Sequence, residues 1–269
     1  MIIPAPESIA FSIFSFPIYW YGICLACGIF MAILTGNYLF NSLNTNIQKD
    51  IIISSAPAII ITGIVGARLY FCFLNPVYYF SHPLEIFDIR QGGLSIHGAL
   101  ILGIIGLIFT SKRNHVSVFG LLDAMACGTV LGQSIGRWGN YFNSEAYGLP
   151  VSGQNWGLFI PQSRRVFEYL SYSLFHPTFL YESILNFLAF VFLVFVFKRF
   201  GVKYSGIVFF TYLSLYSLIR FFIEQIRVDS ALNVGPVPIA EIVSVVLFIV
   251  GLSGMFIIIL KNCKSSPDE

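Results

Sequence analysis

The sequence predicts an all-α, polytopic integral membrane protein with about seven transmembrane helices, the N-terminus outside and the C-terminus in the cytoplasm. Three observations carry this: an apolar composition, seven runs of bilayer length, and lysines confined to one set of loops. Of 269 residues, 57% are hydrophobic and only 10% are charged, with a mean hydropathy of +0.80. Water-soluble domains carry roughly 25% charged residues, so this chain is suited to lipid as its solvent. A formal net charge of +2, with no basic stripe interleaved with aromatics, argues against nucleic acid as a partner. The length fits a single membrane-embedded domain over 1–269.

A helix crosses the hydrocarbon in about 20 mostly apolar residues. Seven stretches qualify: 18–40, 51–74, 94–111, 116–136, 178–197, 205–225 and 239–260. Ahead of them, "PESIAFSIFSF" lacks a positive n-region and is flanked by prolines. It reads as an apolar arm at the interface rather than a cleaved signal peptide. The first span opens on "YWYG", which contains Tyr21. Its "CLAC" (Cys24, Cys27) has thioredoxin-like spacing but lies inside a membrane helix, where small residues serve packing. The second span carries Arg68. The third opens on "GGLSIHGAL" with His97, and the fourth carries Asp123 and ends at Arg137. Glu182 lies one turn into the fifth, and Arg220 and Glu224 lie near one end of the sixth. Loops 75–93 and 137–177 are long, the second with an outer-face region at about 141–177.

An odd number of spans puts the termini on opposite sides, and Lys and Arg in short loops decide which side is cytoplasmic. Lys49, Lys112, Arg113, Lys198, Arg199, Lys203, Lys261 and Lys264 fall on the C-terminal side and include every lysine of the chain. The opposite side has arginines alone: Arg90, Arg137, Arg164, Arg165 and Arg227. Arginine offers phosphate a planar fork of donors, whereas lysine is a compact point charge. The outer face is therefore the one suited to an anion.

Ionisable groups in membrane spans are costly and mark functional sites by default. Here five helices send polar groups toward one level: Tyr21, His97, Arg137, Glu182, and Arg220 with Glu224. Each has a structural reading of its own. Arg220 and Glu224 are spaced to pair on one helix face. His97 suits an interfacial packing site, Tyr21 an aromatic belt, and Arg68 and Asp123 interhelical contacts. "GRWGNYFNSEAYG" (136–148) reads structurally as a glycine-rich helix cap. A cap, however, explains neither Arg137 nor Glu145. Gly136, Gly139 and Gly148 permit close approach and positive φ, Asn140 and Asn143 orient hydroxyls or amides, and Glu145 can hold an arginine. The four histidines have no metal-ligand spacing, and five cysteines this deep make no disulfide framework.

"GRWGNYFNSEAYG" resembles the signature of the prolipoprotein diacylglyceryl transferase family, close to G-R-x-G-N-[FY]-x-N-x-E-x-[YW]-G. The resemblance extends in order through "YWYG", "GGLSIHGAL", "HPTFLYES" (176–183) and "RFFIEQIRVDS" (220–230), and so covers essentially the whole chain. It implies transfer of a diacylglyceryl group from phosphatidylglycerol to the lipobox cysteine of a prolipoprotein, with a thioether formed and glycerol-1-phosphate released. That is the first step of bacterial lipoprotein maturation, at the outer face of the cytoplasmic (inner) membrane. The implied partners are phosphatidylglycerol, the prolipoprotein signal peptide and membrane lipid, with no metal or organic cofactor. Carried over by position, the functional residues are Tyr21, His97, Arg137, Asn140, Glu145, Gly148, Arg220 and Glu224. Arg137 and Arg220 would stabilise the leaving phosphate. His97 is the candidate base for the thiol, with Tyr21 or the phosphate itself as alternatives. Asn140, Asn143 and Glu145, with Gly148 and Glu224, would bind the headgroup. Phe179 departs from the glutamine common at its position. The alternative from another class is a transporter of a lipid or small anion, for which midplane sites and internal repeats are expected. No repeat is visible.

Overall fold

The computed structural model describes residues 1–43, 49–89, 92–151, 155–228, 233–234 and 237–264. Seven helices among them are long and apolar enough to cross a membrane. They are α1 (Trp20–Leu43), α2 (Ile51–Leu74), α4 (Ile96–Arg113), α5 (Val118–Asn143), α6 (Thr178–Phe200), α7 (Ile207–Glu224) and α8 (Ile239–Lys264). A short helix, α3 (Pro76–Ser81), follows α2. Helices satisfy every backbone donor and acceptor internally, which hydrocarbon demands. Their outward faces are apolar: Ile61, Phe195 and Phe256 are 61%, 62% and 63% exposed, a cost in water and none in lipid.

The backbone falls into two compact units, Met1–Gly36 with Leu122–Glu269, and Asn37–Leu121. In the first, α1 and α5 meet through small residues. A Cβ added at Gly128 would collide with the Ala32 carbonyl oxygen, and one at Gly132 would come within 2.8 Å of the Gly28 oxygen. Such stripes let membrane helices approach closely and gain dispersion contact where hydrophobic exclusion no longer operates. Between α5 and α6, the Ser134 hydroxyl donates to the Ser183 carbonyl at 2.7 Å and the Ser183 hydroxyl to the Ser134 carbonyl at 2.9 Å. Asp123 on α5 is 1% exposed and accepts from the N–H groups of Gly206 (2.6 Å) and Phe209 (2.8 Å). It thereby caps α7 from outside, and Gly206 supplies the positive φ of 98° that the turn requires.

The N-terminal arm is more ordered than an apolar tether. Ile9–Ile13 (β2) and Phe16–Tyr19 (β3) form an antiparallel hairpin, turned by Phe14 and Ser15 at φ 46° and 71°. Ile2–Ile3 (β1) pairs in parallel with Gly157–Phe159 (β4), which pairs antiparallel with Leu174–Phe175 (β5). The described residues of 141–177 thus form a small head with its own core of Tyr147, Leu158, Ile160 and Phe175, joined by Phe179. Asn233–Val234 (β6) and Val237–Pro238 (β7) make a last hairpin before α8.

In the second unit, α2 and α4 cross at Gly66 and Gly98, each facing the other's carbonyl oxygen. Arg68 is 7% exposed and works on backbone rather than on a carboxylate. Its Nε donates to the Ile86 carbonyl (2.9 Å), its Nη1 to those of Gly92 (2.9 Å) and Gly93 (3.0 Å), and its Nη2 to that of Glu85. This one side chain ties down the connection that leads into α4. At the α2 N-terminus, Asp50 accepts from the amides of Asn37 (2.7 Å) and Asn41 (3.0 Å). Those hydrogen bonds hold its carboxyl below the ordinary carboxylate range.

Candidate active site

The fourth span does not stop at Arg137. Helix α5 runs on to Asn143, because the residues after 136 keep helical geometry while losing apolar character. Arg137 and Asn140 therefore stand on a helix, and the turn falls at Ser144 and Ala146, both at positive φ (52° and 55°). None of Gly136, Gly139 and Gly148 is among the glycines of positive φ. Two of them serve close approach instead. A Cβ at Gly139 would lie 2.9 Å from the Tyr21 ring, and one at Gly148 would lie 2.8 Å from His176 Cβ. A Cβ at Gly136 would meet nothing within 4 Å.

The two central arginines share a carboxylate that the residue list above omits. Arg137 Nε lies 2.6 Å from Glu182 Oε2, and Arg220 Nη1 lies 3.5 Å from Glu182 Oε1. Glu182 on α6 is 2% exposed and stands between α5 and α7. Arg220 Nη2 also meets Glu224 Oε2 at 2.6 Å, the i,i+4 pair that the spacing allows. On the other flank, Arg137 Nη1 donates to Asn140 Oδ1 at 3.5 Å, and Asn140 Nδ2 donates to Glu145 Oε1 at 2.8 Å. A continuous polar chain results: Glu224, Arg220, Glu182, Arg137, Asn140, Glu145. Glu145 holds the asparagine, and Glu182 holds the arginine. The two arginine side chains remain partly exposed, at 19% for Arg137 and 17% for Arg220, although Arg220 Nη1 is itself buried.

Beside this chain lies an open cleft of about 710 Å³, lined by Ile18, Tyr21, Ile23, Asn143 and Arg164 among others. A smaller one of about 290 Å³ shares Asn143 and Arg164 and adds Glu145 and Tyr147. Gly148 lines neither. Its N–H donates to the His176 carbonyl at 2.9 Å, and its neighbour Leu149 donates to that of Ile226 at 2.7 Å, so it joins three segments of backbone. Phe179 is buried, stacked on Tyr141 (4.9 Å between centroids) and edge-on to Trp138 (5.5 Å). The position that departs from the family is a packing position in this chain.

His97 belongs to the second unit. It is exposed at the first turn of α4, and its ring lies tilted against Tyr70 at 5.9 Å. The neighbouring Gly98 fixes α4 closely on α2. Arg90, Asp229 and Ser230 lie outside the described residues. Among the described residues, no three of His, Cys, Asp and Glu come together as metal ligands would.

The sequence model of the family described as prolipoprotein diacylglyceryl transferase matches residues 8–257. The chain belongs to that family. It is 40% identical over 254 residues to a phosphatidylglycerol–prolipoprotein diacylglyceryl transferase of Clostridium botulinum, covering 94% of this chain and 98% of the relative. Proteins of the same name from Synechocystis sp. and Acaryochloris marina are each 38% identical, over 98% of this chain and 93% and 94% of theirs. Membership of a transferase family, in a multi-pass membrane protein, sets the transporter alternative aside.

Proposed function

We propose that this protein transfers the diacylglyceryl group of phosphatidylglycerol to a lipobox cysteine thiol of a prolipoprotein. A carbon–sulfur bond forms, the bond from that carbon to the phosphate oxygen breaks, and glycerol-1-phosphate leaves with the electron pair. The observation that carries the reading is the joining of Arg137 and Arg220, from two helices, on the buried carboxylate of Glu182 in a chain of this family. Guanidinium groups held in register beforehand stabilise the charge that grows on a departing phosphate without reorganising during the reaction. Asn140 and Glu145, already bonded to each other, keep Arg137 in place, and Tyr21 and Asn143 on the cleft wall orient the glycerol headgroup.

The attacking thiol has an ordinary pKa of about 8.5, so it needs a base. We assign that task to His97, whose residue type titrates near neutral pH and whose ring is exposed. The proton it accepts balances the charge of the departing phosphate. We place this face at the outer side of the bacterial cytoplasmic membrane, on the side opposite the lysines. The experiment is direct: purified protein in phosphatidylglycerol micelles is mixed with a lipobox peptide, and the peptide is weighed. A mass gain equal to one diacylglyceryl group is expected, lost when the cysteine is replaced by serine. An unchanged peptide mass would reject the reading.

A further inference from the structure

The two central arginines are already answered by acid. Arg137 and Arg220 are chained to Glu182, Glu224 and Glu145, so with every group ionised two positive charges face three negative ones. Such a cluster can orient a phosphate, but it has no surplus charge with which to draw one in from the interface.

The adjoining clefts supply that charge. Arg164 lines both of them. Its side chain is exposed, and among the described residues no carboxylate pairs with it. Arg165, next along the chain, shows the contrasting structural use. Its Nε and Nη1 donate to the carbonyls of Ile160 and Leu170, each at 2.9 Å, and its guanidinium lies 5.9 Å from the Phe159 ring.

The backbone under Arg164 is pinned although its side chain is free. Its N–H donates to the Pro161 carbonyl at 2.9 Å. Its carbonyl accepts from the Tyr147 hydroxyl at 3.0 Å, and that hydroxyl accepts from the Val166 N–H at 2.9 Å. Tyr147 is 2% exposed and is the second tyrosine of "GRWGNYFNSEAYG". The motif that carries Arg137 therefore also fixes the loop that presents Arg164.

The geometry points to Arg164 as a second phosphate-recognition residue, holding an anionic phosphate in the cleft beside Tyr21 and Asn143, apart from the arginines on Glu182. The assignment rests on the transferase reading, which supplies that ligand class twice, as the diester of the incoming lipid and as the monoester of the leaving glycerol phosphate. Both present paired oxygens that suit a guanidinium fork. Ile18 and Ile23 on the same wall give an acyl-bearing ligand an apolar side to lie against.

The test uses the full chain in non-ionic detergent and needs no turnover. Native mass spectrometry measures phosphatidylglycerol retained relative to equimolar diacylglycerol, and calorimetry measures the affinity for glycerol-1-phosphate. In Arg164→Gln at least one should fall about tenfold, the scale of losing one charge-assisted hydrogen bond, with the thermal midpoint unchanged. Arg164→Lys should restore part of the loss. A fall in the lipid ratio alone identifies the diester as the ligand, and a fall in glycerol-1-phosphate affinity alone identifies the monoester. A folded Arg164→Gln or Arg164→Lys protein in which neither quantity moves from wild type overturns the assignment, as does wild-type protein with no preference for either phosphate. A phosphate preference lost in Arg164→Gln, in a protein whose wild type transfers nothing, would reject the reaction and leave the binding role standing.

Discussion

Glu182 is the residue on which the site turns, because two arginines depend on one buried carboxylate. Removing one partner of a buried ion pair costs about 3–5 kcal/mol when the other is left unpaired, and here two partners would be left. Glu182→Gln keeps the shape and loses the charge. It should lower the thermal midpoint by several degrees and turnover by more than tenfold in the micelle assay. Aspartate should not rescue it, since a side chain one methylene shorter cannot span both guanidinium groups. Wild-type turnover in Glu182→Gln would show that Arg137 and Arg220 need no common anchor. Arg137→Lys asks a different question. Arg137 meets Glu182 through Nε and Asn140 through Nη1, and a single ammonium cannot do both while facing a phosphate. A loss of at least about 10²-fold in turnover is expected, the scale of one preorganised donor, with the protein still folded. His97→Gln separates base from packing residue. A general base contributes typically about 10²–10⁴-fold in rate, so turnover should fall by that much while the thermal midpoint stays. Near-normal turnover across several pH values would leave His97 a partner of the Tyr70 ring and nothing more.

At the scale of elements, α1 and α5 illustrate what an apolar chain has in place of a hydrophobic driving force. Their contact depends on bare backbone at Gly128 and Gly132, so Gly128→Val should separate the helices. Its Cβ would meet the Ala32 carbonyl oxygen, which cannot yield without breaking helix geometry. A reduced yield of folded protein in detergent and a midpoint several degrees lower are the expected readout, whereas Gly136→Ala, in open space, should be neutral. Equal midpoints for the two variants would remove the close-packing argument. The spans themselves were legible because lipid imposes both a length and a composition, and α2, α6 and α8 begin at the residues that the hydropathy marks. What hydropathy could not mark was helix without apolar character. The end of α5 is polar yet helical, because its side chains find partners on α6 and within the signature itself. The hairpin at Ile9–Tyr19 stayed hidden for a related reason: its strands are as apolar as a membrane arm, and their pairing depends on a turn at Phe14 and Ser15 that no glycine announces.

For the molecule as a whole, residue type pointed to a candidate site but not to its wiring. The arginines stood out because charge in a membrane span needs a reason, and the signature stood out because its residues recur in a known family. Glu182 drew notice only as an acid in a span, since its partners lie on two other helices and no spacing along α6 reveals them. Glu145 looked like the arginine's partner from its nearness in sequence, yet the extended helix turns it toward Asn140 instead. Sidedness is the feature on which the proposed chemistry depends most, because lipobox cysteines can reach only one face. With seven spans and lysines gathered at one set of ends, the proposal puts the head around Tyr147 outside and the end of α8 inside. A cysteine introduced at Ser163, exposed in the head, should react in intact cells with a maleimide that cannot cross the membrane. Native Cys263, exposed near the end of α8, should react only after the cells are opened. Spans that keep an odd count cannot bring both positions to one side. If both label in intact cells, the odd span count fails; if Cys263 alone labels, the orientation is inverted, and the arginine cluster faces a compartment where no secreted prolipoprotein waits.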